Sequence, residues 1–469
     1  MTTHYRKTAA LALGSLLVSV AACGGDDADD LDAAAEEPSD ADAARSAAGA
    51  DEGASAAEQA ALDAAGGEEL GGSVSMLGVL GGDELAAFES VLEPFTAATG
   101  VDVDYEATRD IAAVLQTRVD GGNPPDVATN PTVGQMIDLA TDGELVDLGV
   151  FLDAAELTEQ YDEALLGGIT VDGRLSGIYT AVNLEGLIWH DPNSPAEVPT
   201  SPETFADLQS WAADTAADGT TPWCIGLESG AASGWPGVVW ITELVLRGAG
   251  PDLYTQWWQG DLPWTAPDIR EAFETFGAIA TDPEMVNGGP TAVLATNFAN
   301  GGDGLFSDPP QCYLHHQASF YGGIATGNFP ELEPIEDIAA FPFPDVDPDH
   351  ANLRQVSGEV LGMFNDTPQA RALITYLASP EAQTLLAETG IWLSANKAVD
   401  AGAYPSPFTA LAAEIVQAAD GIYYDGSSLM PTDMNAAFAT AILDYVADPS
   451  SLDQILSDLD AVQATAYAE

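Results

Sequence analysis

The chain has 469 residues, of which eleven are Lys or Arg and seventy-five are Asp or Glu, giving a formal net charge of −64. So acidic a polypeptide repels nucleic acid and anionic lipid, which attract basic patches, and no nucleic-acid partner is expected. It also lacks the arginine and lysine clamps that anionic ligands require.

The chain opens MTTHYRK, where Arg6 and Lys7 make a basic head, and residues 8–22 are apolar or small. That run is shorter than the roughly 20 residues a helix needs to cross hydrocarbon. It fits the basic and apolar regions of a secretory signal, expected over 1–22. No later segment reads as a transmembrane helix. Residues 24–70 are mainly Asp, Glu, Ala, Gly and Ser, without an aromatic. Such a stretch buries too little apolar surface to offset its ordering entropy, so 23–71 is expected to be a disordered acidic tether.

From residue 72 the pattern changes. SVSMLGVL reads as a strand, and ELAAFESVLEPFTAATG spaces Leu85, Phe88, Val91, Leu92 and Phe95 as a helix that stops at Gly100. VDVDYEA alternates as a strand, DIAAVLQTRVDGG is a helix, PPDVATN is a strand running into a loop, and TVGQMIDLATDG is a helix. Strands alternating with helices predict an α/β sheet, whose ligands sit beyond the carboxyl ends of the strands. That singles out Asp83, Arg109 and Asn130 as ligand contacts, each otherwise a cap or surface residue. Residues from about 200 to 340 are mainly helical and rich in tryptophan. SGIYTAVNLEGLIWH and VSGEVLGMF read alike as extended segments and are expected to connect two lobes, with Asn183 and Glu359 reaching the ligand. The expected division is 72–182 for the N-terminal part of lobe 1 and 183–355 for most of lobe 2. Residues 356–469 are expected to return through the hinge and supply C-terminal helices to both lobes. A cleft between lobes is a common place for a small-molecule site.

The tryptophans are the other chemical signal. Trp235 lies in the Gly/Pro-punctuated turn Ser233-Gly234-Trp235-Pro236, and Trp392 follows a helix stop at Gly390. Both are candidate plates for an apolar ligand face, as are Trp223, Trp240 and Trp264, whereas Trp257 and Trp258 read as packing. Gln317 and Phe320, in HHQASFY, are candidate contacts from the second lobe. No HExxH, G-x-S-x-G or Walker lysine motif appears. DVDPDH (345–350) starts like a calcium loop, but His350 stands where the turn glycine belongs and Val356 where the closing glutamate belongs. No metal, cofactor or catalytic residue is therefore assigned. Setting Cys23 aside, Cys224 and Cys312 are either a disulfide or two separate buried thiols.

Several blocks carry resemblances. Val20-Ala21-Ala22-Cys23-Gly24 resembles a bacterial lipobox. This implies that Cys23 becomes the first residue, carries the acyl chains and anchors the protein on the outer face of the cytoplasmic membrane. FESVLEPFTAATGVDVDYEA, GGNPPDVA, LATDGELVDL and SPEAQTLLAETG with IWLSANKAV resemble, in that order, the sugar-binding family of extracellular solute-binding proteins of ABC importers. PWCIGLESGAASGWPG, DPPQCYLHHQASFY and SSLMPTDMNAAFATAILDYV are similar to its alpha-glucoside-binding branch. The two cysteines fall inside the first two of those blocks, which favours the disulfide. The resemblance implies two α/β lobes joined by a hinge, closure of the lobes over a sugar in the interlobe cleft, and docking of a monomer on the membrane permease. The chain departs from the branch in having Gly237-Val238-Val239-Trp240 where an acid is usual, and Glu359 where aspartate is commoner. Two other readings stand beside it. An exported glycoside hydrolase would need two facing carboxyls roughly 5 Å or roughly 6.5–9.5 Å apart. A receptor for another solute, such as a polyamine, would suit the acidic surface.

Overall fold

The computed structural model describes residues 55–108 and 110–468. The leader at 1–22, the lipidation candidate Cys23 and Arg109 lie outside the described residues. The described strands, in chain order, are β1 (Ser73–Gly78), β2 (Asp102–Ala107), β3 (Val127–Asn130), β4 (Thr170–Val171), β5 (Arg174–Leu175), β6 (Ile178–Leu184), β7 (Leu187–His190), β8 (Trp223–Cys224), β9 (Leu314–Gln317), β10 (Ala339–Pro342), β11 (Leu353–Met363) and β12 (Gly421–Tyr424). They form two main sheets. One runs β12-β11-β3-β1-β2 with β6 also paired to β11; the other runs β10-β7-β9-β8.

In the first sheet β1 is parallel to β2 and β3, as βαβ connections require. The connecting helix Asp83–Thr99 buries Phe88, Val91, Leu92 and Phe95, and ends at Gly100 with φ 67°. Asp126 fixes the start of β3 on β1. Its Oδ2 accepts from the Ser75 N–H at 2.9 Å and from Ser75 Oγ at 2.8 Å, and its own N–H donates to Ser75 Oγ at 2.9 Å. The long strand β11 then runs antiparallel to β3 on one side and antiparallel to β6 on the other.

The chain leaves the first sheet after Leu184 and enters the second at Leu187, so Glu185 and Gly186 are the crossover. It returns between Pro342 of β10 and Leu353 of β11, and crosses again after β12. Two large clusters of buried residues centre on the two sheets, the first reaching Leu187, Trp189 and Cys224 of the second sheet and the second reaching Leu353 of the first. Phe95, Val101, Leu373 and Tyr376 belong to the first. Trp223, Trp240, Trp257, Trp264 and Phe438 belong to the second, where their rings meet edge to face. The helices Pro368–Ala378 and Pro380–Glu388 add Leu373, Leu377 and Leu386 to the first core. Thr432–Ala447 and Leu452–Ala466 add Phe438, Ile442 and Leu456 to the second.

Two expectations are corrected here. The tether does not extend to residue 71: residues 55–64 are helical, with Ala57 and Ala61 fully buried in the first core. Their four-residue spacing puts them on one helix face, and alanine loses no side-chain entropy on burial. The Gly71 N–H then donates to the Thr99 carbonyl at 3.0 Å, and Gln369 Nε2 donates to the Gly71 carbonyl at 3.0 Å. Secondly, Trp223, Trp240 and Trp264 are core residues with no free ring face, because each is at most 1 % exposed. No helix among the described residues is long and apolar enough to cross a membrane.

Cys224 of β8 is joined to Cys312 across 88 residues, with Cα atoms 5.6 Å apart. The bridge ties β8 to the approach of β9, its parallel neighbour. The loop is long, so the double variant Cys224→Ala/Cys312→Ala is expected to lose stability, with about 4–5 kcal/mol as the chain-entropy ceiling. Urea unfolding with and without reductant measures this, and the reductant effect should vanish in the variant. In the same assay Ala61→Asp should destabilise by about 2–4 kcal/mol, because it buries an unpaired charge.

Candidate functional site

The candidate site is built on β6 and β11. Their register pairs Asn183 with Ser357 and Ala181 with Glu359, so these four side chains share one face of the sheet. Past Glu359 the pairing skips: Val360 faces Tyr179, leaving Thr180 as an extra residue in β6. Such a bulge re-aims neighbouring side chains, and both Thr180 and Ala181 reach the same recess. That recess is lined by Leu80, Phe88, Thr129, Glu359, Leu386 and Trp392 besides the bulge, and offers about 10 Å³, room for a single water.

Trp392 is held there by backbone. The Val182 N–H donates to the Leu393 carbonyl at 2.9 Å, and the Leu393 N–H donates back at 3.1 Å. The indole is 8 % exposed and forms a wall of the recess. Thr129, next to it on β3, is buried and its hydroxyl has no hydrogen-bond partner. Glu359 is half-buried, and its carbonyl accepts from Thr180 Oγ1 at 3.3 Å.

The second lobe reaches the same strand ends through the segment Gln317–Phe320. The Ser319 N–H donates to the Leu184 carbonyl at 2.8 Å, and the Leu184 N–H donates to Ser319 Oγ at 3.2 Å. Gln317, two residues before Ser319, ends β9 opposite Leu187, the first residue of β7. Gln317 is buried; its Oε1 accepts from the Ala318 N–H at 2.9 Å, and its Nε2 meets no acceptor. Asn183 Oδ1 is likewise buried and unpartnered. Phe320 stands 6.2 Å from the ring of Trp235, and Phe298 stands 5.3 Å from it on another side. All three rings are half-buried, so this cluster keeps accessible aromatic surface.

The aromatic cluster is positioned by its loops. Gly234 precedes the helix Trp235–Ala249 at φ 103°, and a Cβ there would lie 2.3 Å from the Ala439 carbonyl oxygen; only glycine fits. Glu228 accepts from Asn297 Nδ2 and from the Gly230 N–H, both at 2.7 Å. These bonds lock the loop that presents Phe298 and hold the Glu228 carboxyl below its usual range.

The residues singled out from the sequence thus fall into groups. Glu359 and Trp392 line the recess, and Asn183 shares the Glu359 face. Gln317, Phe320 and Trp235 lie on the second-lobe side. Asp83 is the first residue of its helix, and its side chain lies outside the description. Asn130 is fully buried and turned to its own loop: its Nδ2 donates to Gln135 Oε1 at 2.7 Å and its Oδ1 accepts from the Thr132 N–H at 2.9 Å. The recess contact from β3 is instead its neighbour Thr129. The alternation of β3 offered no hint of that, because all four of its residues are buried.

The family model described as bacterial extracellular solute-binding protein matches residues 81–384. The chain belongs to that family. It is 37 % identical over 385 residues to the osmoprotective compounds-binding protein GgtB of Synechocystis, covering 81 % of this chain and 90 % of that protein. It is 34 % identical over 403 residues to the alpha-glucosides-binding periplasmic protein AglE of Rhizobium meliloti, covering 82 % of this chain and 85 % of that one. Among solved structures, a chitin oligosaccharide binding protein superposes with a TM-score of 0.70 at 18 % identity, over 85 % of this chain and 99 % of that one. The raffinose complex of RafE gives 0.65 at 17 %, over 84 % and 100 %. The two sheets are therefore the two lobes of the solute-binding-protein fold. The protein is a solute-binding receptor for ABC transport, not an enzyme.

The two site tryptophans are expected to differ in stability. Trp392→Ala empties a nearly buried position and should lower unfolding free energy by about 3–5 kcal/mol. Trp235→Ala trims a half-exposed ring and should lower it by well under half as much. Urea midpoints at constant slope measure both; equal losses would make Trp235 a core residue.

Proposed function

We propose that this receptor is anchored by lipid at Cys23 and closes its two lobes around a neutral polyhydroxylated solute, a sugar of the alpha-glucoside class or a similarly uncharged glycoside, which it passes to a membrane permease. The observation that carries the reading is that both lobes hold buried polar atoms without partners. Thr129 Oγ1 and Asn183 Oδ1 come from the first lobe and Gln317 Nε2 from the second. Unpaired polar atoms in a buried place are costly, and a ligand carrying hydroxyls, which donate and accept, suits all three. The half-buried rings of Trp235, Phe298 and Phe320 and the wall formed by Trp392 suit the apolar face of a sugar. A ligand that touches both lobes favours the closed arrangement and raises its population.

The relatives' names support the class: one is named for alpha-glucosides and the other for osmoprotective compounds. An uncharged, hydroxyl-rich solute satisfies both descriptions. The net charge of the chain disfavours an anionic solute. The anchor rests on the sequence around Cys23, and membrane fractionation of Cys23→Ser tests it: the variant should leave the membrane fraction.

A thermal-shift screen tests the ligand class, since only a solute that prefers the native state raises the melting temperature. Maltose, trehalose, sucrose, monosaccharides and sugar alcohols are set against spermidine and putrescine. At least one neutral compound should raise the midpoint in a concentration-dependent way; a response to polyamines alone overturns the reading. For the responding sugar, Trp235→Ala and Asn183→Ala should each weaken calorimetric affinity by about tenfold or more, the loss of about 1.4 kcal/mol.

A further inference from the structure

The first sheet passes into the second through only two residues, Glu185 and Gly186, between β6 and β7. Glu185 is 3 % exposed. Its Oε1 accepts from Ser357 Oγ at 2.5 Å, and its Oε2 meets no donor. The Glu185 N–H donates to the Gln355 carbonyl at 2.9 Å, so backbone and carboxyl are both tied to β11. Around it stand Asp425, just after β12; Glu243, on the helix Trp235–Ala249; Tyr254, on the helix Pro251–Trp258; and Tyr424, in β12. The guanidinium at this junction, Arg247, pairs with Glu243 and not with Glu185, and its Nη1 and Nη2 have no hydrogen-bond partner. Its Nε donates to Glu243 Oε2 at 2.5 Å, and its Nη1 lies 3.9 Å from Asp345.

Among the described residues, then, the Glu185 carboxyl has one hydroxyl donor, acidic neighbours and no cation of its own. A buried carboxylate is stable when several donors or a cation compensate its lost hydration; neither is provided here. The next residue leaves no slack. Gly186 sits at φ +64°, and a Cβ there would stand 2.3 Å from Glu243 Oε1, so the crossover is pressed against the second-lobe helix.

We propose that Glu185 is a proton-operated latch at the lobe crossover: protonated, it stays seated on Ser357 and keeps β6, β11 and the Glu243 helix together, and ionised, it draws water into the junction and loosens the two lobes. Burial, opposed by the Ser357 hydrogen bond and reinforced by Asp425 and Glu243, pushes the carboxyl up to about 8. Since this lies above the ordinary glutamate value of about 4.3, the native state holds more protons than the unfolded chain between the two. The stability contributed by the seated, neutral acid is full below about pH 4, declines as pH rises, and levels off above about pH 8. A loosened junction, in which water reaches the carboxylate, gains population over the same window. The latch belongs to the crossover and not to the recess, so it stands whichever solute the receptor takes.

The test uses the full chain without added solute. Infrared difference spectra should show a protonated carboxylic-acid carbonyl band at about pH 7 that titrates away near pH 8 and is missing in Glu185→Gln. Small-angle scattering should show the radius of gyration increasing between about pH 6 and about pH 9, while Glu185→Gln, which keeps the neutral form, stays at its low-pH size. Ser357→Ala removes the one donor that favours the charged form, so it should move the infrared midpoint to higher pH. Absence of the acid band at about pH 7, a midpoint unmoved by Ser357→Ala, or the same expansion in Glu185→Gln would each overturn the proposal. Should Glu185→Gln fail to fold, the infrared titrations of the parent chain and of Ser357→Ala still decide it.

Discussion

The pairing of β6 with β11 is the constraint on which the rest of the structure depends. These strands come from segments about 170 residues apart and run antiparallel from Val356 opposite Leu184 to Leu361 opposite Ile178. One face of the pair carries Ala181, Asn183, Ser357 and Glu359, and its bulge at Thr180 shapes the recess. The far end of β6 becomes the crossover. Register in a half-buried sheet is set by which face must be apolar, and a slip of one residue would exchange every one of these side chains for its neighbour. The recess, the polar face and the crossover are therefore fixed together.

The charge distribution follows from a shortage of cations. The few described arginines serve either as exposed pairs or as internal struts. Arg118 with Glu106, Arg270 with Asp453 and Arg371 with Asp366 are surface pairs, each worth little. Arg247 and Arg354 are buried near the junction. Arg354 donates through Nη1 to the Leu353 carbonyl and through Nη2 to Asn352 Oδ1, and burial pushes its guanidinium down to about 10. Most surface carboxylates are thus left facing one another across water, a repulsion that dissolved salt screens over about 8–10 Å. Such an exterior discourages the approach of anionic solutes.

Much of the architecture was legible in the sequence because it rests on short-range patterns. The helix over Asp83–Thr99 follows from the spacing of Phe88, Val91, Leu92 and Phe95. The parallel order of β1, β2 and β3 follows from the alternation of strand and helix. SGIYTAVNLEGLIWH holds the crossover between the sheets, whereas VSGEVLGMF lies within β11 and pairs with β6 inside the first sheet. What misled was composition read without periodicity. Residues 55–64 look like acidic tether, yet Ala57 and Ala61 form a narrow stripe that only helical spacing reveals. Tryptophan was a weak guide because a ring in a turn and a ring in a core look the same in one dimension. Trp223 and Trp240 pack on each other at 5.1 Å, while Trp235 stays half-exposed between Phe298 and Phe320. Asn130 shows the limit at single-residue scale: the loop was found, but whether its amide faces a ligand or caps its own turn depends on Gln135, five residues on.

The junction between the lobes is polar where an apolar one would hold them more tightly. Gln355 Nε2 donates to Thr242 Oγ1 at 2.9 Å, Tyr254 OH donates to the Tyr424 carbonyl at 3.0 Å, and the Glu243–Arg247 pair is fully buried beside Gly186. A buried ion pair gains little net stability, because desolvation offsets most of its attraction. What hydrogen bonds supply is direction: they favour one relative placement of strands and helices and weaken as soon as that placement is lost. Greasy contact between the same elements would tolerate sliding and would resist separation. A polar junction of this kind is well defined in one arrangement yet only moderately strong. The residues at the crossover build it from one serine donor, one glutamine bridge and a glycine that no larger side chain replaces.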